Sequence, residues 1–424
     1  MSSYHKYQKY KLKYQQQKLS GGNKTDYDIV KFIKKEDLNT IQESLLKNMD
    51  NKTYCDKILG KGLLGEVSVP TVNNKMDITL KNDTKITIPV VIKKANSEGQ
   101  INIKMIDNKL CIYANLDITL EAIILSYINK LWHKKLSPHL PFMIGYSCCE
   151  NKENIRVNKI ITERHGLNEN VKFDIEGFTD EEIWHGPRPG RIYKSPYVFD
   201  SEIGTLMSLC KYIFSKMKNG NVILPNGETC NVVELFDYLA ISFIHTHQLL
   251  HKHNIIISDM HSNNIFIHWL NNDSYLGDTN ISKVKYINYK FGDKILKIKT
   301  FGLLLKIGDV GTAIITPRKD VLILGQANDL DKNIKLVDQI IKPNYQIYWG
   351  MTTFKYMLPQ HIYEKTIMSS ILDNHPYNEI VNYLPMPYKL LDKFLDPNEL
   401  LAKYDKYFVD KTSKSDDTLI VEEY

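Results

Sequence analysis

Two apolar runs rich in β-branched residues enclose a polar loop between residues 255 and 267. The stretch is Ile-Ile-Ile-Ser-Asp-Met-His-Ser-Asn-Asn-Ile-Phe-Ile, and a long helical pattern leads into it. This order predicts a helix followed by a strand, a loop and a second strand. The loop carries Asp259 and, five positions later, Asn264. An acid and an amide at this spacing suit phosphoryl transfer, because the acid can accept a hydroxyl proton while the amide oxygen holds a metal ion. The same pair also occurs in ordinary loops, so other motifs must support it.

The composition is that of a chain able to bury a normal core, with 43% hydrophobic and 25% charged residues. The 424 residues predict two to three units, or one two-lobed domain with extensions. A net charge of +6 is spread over lysine-rich surfaces and does not indicate nucleic-acid binding. The six cysteines form no Cys-x-x-Cys pair, so we expect buried thiols and a reducing compartment. No secretory signal and no membrane-length apolar run is present, which favours an intracellular protein without membrane contact.

A glycine-rich segment is the second motif and has the pattern Gly-x-Gly-x-x-Gly-x-Val, with strand-like residues on both sides. Glycine allows backbone amides to come close to phosphate oxygens, where a Cβ atom would clash. Hairpin turns also use glycine, but no helix follows here, which argues against a dinucleotide-binding fold. The candidate nucleotide-binding residues of this loop are Gly60, Lys61, Gly62, Leu63, Leu64, Gly65 and Val67.

A lysine on a strand and a glutamate on a helix come next. Val90-Val91-Ile92-Lys93 ends a predicted strand, and a lysine at that place can bind the α- and β-phosphates of a nucleotide. Neighbouring Lys94 points to the opposite face of the strand. Glu121 falls on the apolar stripe of a helix predicted over Asp117 to Trp132. A carboxylate facing a core needs a cationic partner, and Lys93 is the natural one, unless Glu121 sits at the edge of the stripe and reaches water.

An Asp-Val-Gly turn follows the 255–267 stretch. Residues 303–307 form an apolar strand that leads to Asp309, and Asp309 and Asn264 would supply the hard oxygen ligands that Mg²⁺ prefers. The alternative for this motif is an ordinary turn. Between the motifs we expect a connector whose backbone could hydrogen-bond an adenine. Tyr197 to Leu206, which contains Glu202, is preferred because a helix follows it, and Ile161 to Gly166 is the rival segment.

The ordered set of Gly60/Gly62/Gly65, Lys93, Glu121, Asp259, Asn264 and Asp309/Gly311 resembles the protein-kinase family over roughly residues 55 to 320. The resemblance implies an α+β, bilobal fold with a small β-rich lobe, a larger helical lobe and ATP between them. It implies transfer of the γ-phosphate of ATP to a protein hydroxyl, with a serine/threonine preference. The glycine loop would cover the phosphates, Lys93 held by Glu121 would orient them, Asn264 and Asp309 would bind Mg²⁺, and Asp259 would be the base.

Four departures from the family pattern qualify this expectation. Ile257-Ser258 stands in place of the His-Arg pair, so a phosphorylated activation loop would lack its usual counter-charge. His261 replaces a lysine that steadies the γ-phosphate and is counted with the catalytic residues, which predicts slower or more pH-sensitive transfer. Val310 replaces the usual phenylalanine, and no Ala-Pro-Glu motif is found.

Two other functions remain open. The loop Asp-Met-His-Ser-Asn-Asn also resembles that of the choline-kinase and aminoglycoside-phosphotransferase relatives, which phosphorylate small molecules. A non-catalytic binding module, a pseudokinase, is the third hypothesis and is motivated by the departures around Asp259.

The predicted domain organisation follows these motifs. Residues 1–50 are predicted to be a basic Tyr/Lys-rich extension. Residues 51–206 are predicted to be the first lobe, with an insertion at about 150–196 that contains one strand over Lys159 to Glu163. Residues 207–410 are predicted to be the second lobe. A second insertion at about 271–299 is predicted to be a hairpin, and 411–424 to be a loose polar tail. The leader resembles those on proteins of giant DNA viruses. If the protein is viral, we expect it in the host cytoplasm or the virion.

Overall fold

The computed structural model describes residues 57–62, 65–69, 75–79, 83, 85–96, 101–106, 109–114, 118–150, 156–165, 203–257, 260–291, 293–318, 321–326, 343–373, 396–410 and 417–421. In these residues the chain has an α+β fold of mainly antiparallel sheets and several helices around a large hydrophobic core, as predicted. The extension of residues 1–50 lies outside them. Among these residues, no helix is both long enough and apolar enough to cross a membrane.

Six strands form the first sheet. They are β1 (Lys57–Gly62), β2 (Gly65–Val69), β3 (Lys75–Thr79), β4 (Lys85–Asn96), β7 (Met143–Glu150) and β8 (Arg156–Glu163). All pairs are antiparallel in the order β1-β2-β4-β8-β7, and β3 pairs with the first part of β4. The strand predicted over Lys159 to Glu163 thus begins earlier, at Arg156, and is an inner strand of this sheet. Residues 156–163 therefore belong to the sheet and not to an insertion.

Strand β4 is long because its sequence alternates. Ile86, Ile88, Val90 and Ile92 are all buried, so one face of the strand is core. Val91 and Lys93 lie on the other face and are partly buried. The strand predicted to end at Ala95 is confirmed and continues to Asn96.

Helix α1 (Thr119–His133) packs against β7 and carries the apolar stripe predicted from the sequence. Its stripe residues are all buried, namely Ile118 just before the helix, Leu125, Ile128 and Trp132. Glu121 is buried on the same stripe, with 5% of its surface exposed. The alternative that this carboxylate reaches water at the edge of the stripe is therefore wrong.

A second sheet joins residues from distant parts of the chain. Its strands are β5 (Ile101–Ile106), β6 (Lys109–Ala114), β11 (Ile255–Ile256), β18 (Ile314–Arg318) and β19 (Val321–Gln326), in the order β11-β18-β19-β6-β5. The β5–β6 hairpin lies between β4 and α1 in sequence, and β6 pairs in parallel with β19. A small apolar cluster around Cys111 and Leu322 supports this sheet. The sequence analysis did not identify it.

The remaining helices gather around α3, which the sequence predicted over Val232 to Leu250. The helices are α2 (Leu206–Lys216), α3 (Val232–Lys252), α4 (Pro343–Met357), α5 (Gln360–Tyr363), α6 (Ile367–Leu372) and α7 (Pro397–Ala402). Asn231 caps α3 through its side chain, and α4 to α7 all pack against it. Three cysteines, Cys111, Cys210 and Cys230, are buried free thiols, as expected.

The insertion after residue 271 is a hairpin, as predicted, and it pairs with the C-terminal tail. Its strands are β15 (Tyr286–Phe291) and β16 (Lys294–Lys299), and β20 (Phe408–Val409) and β21 (Thr418–Val421) complete a sheet ordered β20-β16-β15-β21. The prediction of a loose tail is wrong for residues 418–421, because β21 pairs in parallel with β15 and Val421 is fully buried. The shorter two-stranded pairs are β9 (Asn221–Ile223) with β10 (Thr229–Asn231), β12 (Ile265–Trp269) with β17 (Leu303–Ile307), and β13 (Tyr275–Leu276) with β14 (Thr279–Asn280).

Candidate active site

Lys93 and Glu121 form the ion pair that the sequence predicted. Lys93 lies in the part of β4 that pairs with β2 on one side and β8 on the other. Its Nζ atom donates to both carboxylate oxygens of Glu121, at 3.0 and 2.7 Å. Glu121 lies in the first turn of α1, where the helix dipole favours a negative charge. The pair therefore ties the helix to the strand, and its role in phosphate binding stays a prediction.

Asp309 approaches the same lysine from a distant part of the chain. Its Oδ1 atom lies 3.1 Å from Lys93 Nζ, and 43% of its side chain is exposed. The residue adopts a left-handed conformation with φ of 40°, which aspartate tolerates better than most side chains. Oδ1 also accepts a hydrogen bond from Gly311 N at 3.4 Å and so caps the short 3-10 turn at Val310–Thr312.

Electrostatics favour the charged forms of Lys93 and Asp309 at neutral pH. Burial acts to lower the pKa of the Lys93 ammonium, but the Glu121 and Asp309 carboxylates raise it above its usual value. Burial acts to raise the pKa of the Asp309 carboxyl, whereas the charge of Lys93 lowers it, and the net direction is downward. The charge of His261 also lowers this pKa, so His261 acts on the same carboxylate. An ionised acid that is partly open to solvent is suited to binding a cation.

Strand pairing brings Asn264 next to Asp309. Ile265 at the start of β12 pairs with Ile307 at the end of β17, so the residues that flank these strands are neighbours. Gly308 N donates to Asn264 O at 2.9 Å, and Asn264 N donates to His261 O at 2.8 Å. The His261 ring is held in this turn because its Nδ1 atom accepts from Asn263 N at 3.2 Å. The two predicted metal ligands, Asn264 and Asp309, therefore flank one two-stranded ladder.

An aromatic side chain that the sequence analysis missed lies beside this pair. Phe266 in β12 is half-buried, and its ring contacts the position where a side chain on Gly308 would begin. A Cβ atom on Gly308 would lie 2.0 Å from Phe266 Cε2, so only glycine fits there. The ring of His165 stacks on Phe266, with centroids 5.2 Å apart. The Phe266 ring thus contacts both Gly308 and His165.

The strands on either side of the glycine-rich segment are present, as predicted. Gly62 pairs with Gly65 at the end of the β1–β2 ladder. Leu63 and Leu64 themselves lie outside the described residues, as do Asp259 and Glu202. For Gly60, Lys61 and Gly65 the backbone alone is described, and Val67, which pairs with Lys93, is half-buried.

The two rival connector segments both contact strand β12. Strand β8 ends at Glu163, and Arg164 N donates to Pro89 O at 2.8 Å, which holds residues 161–165 beside β4. Of the preferred segment, residues 203–206 are described, and Ile267 N donates to Gly204 O at 2.9 Å. Because His165 and Gly204 both contact β12, the ends of the two segments lie at the same edge of the site.

A buried ion pair fixes β17 to the first sheet. Lys306 and Glu163 are 1% and 4% exposed, and Lys306 Nζ lies 2.7 Å from Glu163 Oε1. Lys306 also donates to Leu140 O at 3.0 Å, and Phe142 N donates to Glu163 Oε1 at 3.2 Å. Charged groups this deeply buried require such partners. The signal in the sequence was a single lysine inside the apolar run Leu303–Ile307, three residues before Asp309.

Comparison with known proteins assigns no family. The chain matches no protein-family model, and no curated protein is significantly similar to it. Its function must therefore be argued from the residues themselves.

Proposed function

We propose that this chain is a divergent ATP-dependent serine/threonine protein kinase, with a bilobal fold in which the first sheet and the helices around α3 belong to separate lobes. The observation that carries the proposal is the meeting of Lys93, Glu121 and Asp309. A strand lysine is held by a helix glutamate at 2.7 Å and faces an aspartate at 3.1 Å. Protein kinases use such a set for phosphoryl transfer, because a cation orients the phosphates of the nucleotide beside an oxygen ligand for Mg²⁺.

The order of strands in the first sheet supports the proposal. The glycine-rich turn joins β1 to β2, β2 pairs with the lysine strand β4, and β4 pairs with β8, which leads to the connector. A nucleotide under the β1–β2 turn would therefore have its phosphates near Lys93 and its base near the end of β8. Val91 and Thr162 pair across β4 and β8 and are half-buried, as is Phe266. We expect these three side chains to contact the adenine ring.

The residues present fit a magnesium–nucleotide complex. Asp309 supplies a charged oxygen that is partly exposed, and Asn264 directly precedes the neighbouring strand β12. These hard oxygen ligands suit Mg²⁺, which when bound would neutralise charge on the phosphates. Lys93 would hold the α- and β-phosphates, and His261, which contributes to the lowered pKa of Asp309, would face the γ-phosphate. Asp259 would accept the hydroxyl proton, a role that rests on its spacing from Asn264.

A small-molecule phosphotransferase is the second candidate, and one observation favours it. The segment after Asp309 forms strands β18 and β19, which are paired with β11 and β6 in the second sheet. In a protein kinase the chain after this aspartate helps to bind the peptide substrate, and a segment committed to a sheet offers less freedom for that task.

The first experiment is thermal unfolding with and without Mg-ATP, on the wild type and Asp309→Asn. Ligand at 100 times its Kd should stabilise the fold by about 2.7 kcal/mol, which a melt detects. We expect a magnesium-dependent upward shift in the wild type that Asp309→Asn loses. Asp293→Asn, at an exposed site on the β15–β16 hairpin, is the matched control and should keep the shift. No shift in any of the three proteins at millimolar nucleotide would overturn the proposal.

The second experiment separates the candidate functions. Transfer of labelled phosphate to general protein substrates, abolished by Asp259→Asn, is the expected result. Labelling of choline or an aminoglycoside but of no protein would favour the small-molecule enzyme. Nucleotide binding without any transfer would identify a pseudokinase, and full activity of Asp259→Asn would contradict the assigned base.

A further inference from the structure

Three potential metal ligands converge at the end of β8, apart from Asn264 and Asp309. They are Glu163, the last residue of β8, His165, two positions later, and His268 in β12. One ligand atom from each residue lies within 4.8 Å of the other two. Glu163 and His268 are buried and His165 is half-buried, so the cluster lies largely inside the protein.

The distance between the two histidines matches a shared metal. His165 Nδ1 and His268 Nδ1 are 3.4 Å apart. Two nitrogen ligands at 2.0–2.1 Å from one tetrahedral Zn²⁺ lie about 3.3–3.4 Å from each other. An N–H···N hydrogen bond of that length is weak, because good hydrogen bonds between such groups are shorter. The rings are therefore already at the separation that a common ion requires.

Both rings are held in this orientation by contacts outside the cluster. His268 Nε2 lies 2.9 Å from Ser274 Oγ, and Asn271 N donates to the same oxygen at 3.0 Å. When His268 donates from Nε2 to Ser274, its Nδ1 lone pair is left for a metal, as in many metal sites. His165 is fixed by stacking on Phe266.

Glu163 can serve as the third ligand without giving up its ion pair. Its bonds from Lys306 Nζ and Phe142 N both end on Oε1, so Oε2 is the oxygen that can face the histidines. Direct ligation needs a shift of at most about 1.5 Å from the present arrangement. The Lys306 ammonium opposes a nearby cation, and the Glu163 charge offsets it. We therefore expect weaker binding than at a closed site with four protein ligands.

We propose that Glu163, His165 and His268 form a site for a divalent transition metal of the Zn²⁺ class, with water as the fourth ligand. The bound ion would link the end of β8 to β12 and so fix the edge of the proposed nucleotide site. Its nitrogen ligands distinguish it from a Mg²⁺ site, because imidazole favours Zn²⁺, Co²⁺ and Ni²⁺ over Mg²⁺. The inference does not depend on the proposed kinase activity.

The test is metal titration of the full chain after removal of metals by a chelator. We expect one Zn²⁺ per chain by calorimetry, a higher unfolding temperature with Zn²⁺ and, with Co²⁺, the visible absorption of a tetrahedral complex. His165→Ala and His268→Ala should each weaken binding by about tenfold or more. Exposed His361→Ala is the control and should bind as the wild type does.

The outcomes separate a metal site from a histidine hydrogen bond. Because Glu163 is also the partner of Lys306, the two histidine variants carry the test. Circular dichroism of each variant must first match the wild type. No uptake of Zn²⁺ or Co²⁺ by the wild type, or equal uptake by folded His165→Ala and His268→Ala, would overturn the proposal.

Discussion

Lys93 Nζ and Asp309 Oδ1 lie 3.1 Å apart although 216 positions separate the two residues in the chain. Two elements produce this contact: β4 carries the lysine into the first sheet, and β17 ends just before the aspartate. Glu121 holds the lysine from a third element, α1. The contact therefore reports on the assembly of the whole site, and substitutions at Lys93 test it directly.

Lys93→Met should abolish nucleotide binding and lower the free energy of unfolding. Glu121 would keep a buried charge without its partner, which costs roughly 3 kcal/mol. Phosphate transfer should fall by at least about 100-fold, as when one pre-placed donor is removed from an active site. The measurements are chemical unfolding and the Mg-ATP-dependent melt. Lys94→Met, on the opposite face of β4, is the control, and an equal loss there would contradict the assignment.

Periodic sequence patterns predicted the elements whose pattern lies within one segment of the chain. The alternation in β4 and the stripe on α1 are periodic within one element, so the sequence could place Lys93 and Glu121 on facing surfaces. The β15–β16 hairpin was visible for the same reason. In each case, neighbours in the chain are also neighbours in space.

Pairings between distant segments could not be predicted in this way. The parallel contact of β6 with β19 and that of β15 with β21 depend on tertiary register, which hydrophobic pattern alone does not specify. His165 and His268 are 103 positions apart, and neither belongs to a recognisable ligand spacing. Phe266 was likewise seen only as an apolar strand residue, because its contact with Gly308 arises from the β12–β17 ladder.

Gly308→Ala should disturb the site through Phe266. The added Cβ would lie 2.0, 2.3 and 2.7 Å from three atoms of the ring, so the ring must move. Such overpacking costs about 1–3 kcal/mol. We expect Phe266→Leu in the same chain to restore part of that loss, because it removes the clashing ring. Urea unfolding of the two single variants and the double variant measures the coupling, and simple additivity would show that the clash is relieved elsewhere.

The second sheet should hold the segment after Asp309 in place. Ile112 in β6 is fully buried, and its partner across the parallel ladder is Ile323 in β19. Ile112→Ala should cost about 2–5 kcal/mol and release β19 before the rest of the fold. Hydrogen exchange of the residues 321–326 is the measurement.

The control for that experiment is Ile347→Ala, in α4, which is equally buried. It should lower global stability without a selective loss of protection in β19. Equal exchange in β19 for the two variants would show that β6 does not hold this segment. If β19 is released selectively, the Mg-ATP shift should also weaken, because Asp309 lies directly before the strands involved.

Stability should fall steeply on mild acidification because several histidines are buried in the neutral form. Burial lowers the pKa of His139, His245 and His247 from 6.5 to about 3. Between these values the unfolded chain binds protons that the folded chain does not, so stability decreases as the pH falls from 6.5 towards 3. Each such histidine contributes up to about 1.4 kcal/mol per pH unit.

His247→Leu should make the slope shallower, because it removes one of the histidines that only the unfolded chain protonates in this pH range. The His247 Nε2 atom has no hydrogen-bond partner among the described residues, so the substitution breaks no hydrogen bond at that atom. Leu249→Ala, also fully buried, should lower stability by the same amount at every pH. Urea unfolding from pH 7 to 4 compares the three proteins, and an unchanged slope in His247→Leu would show that this ring is protonated or exposed in the folded chain.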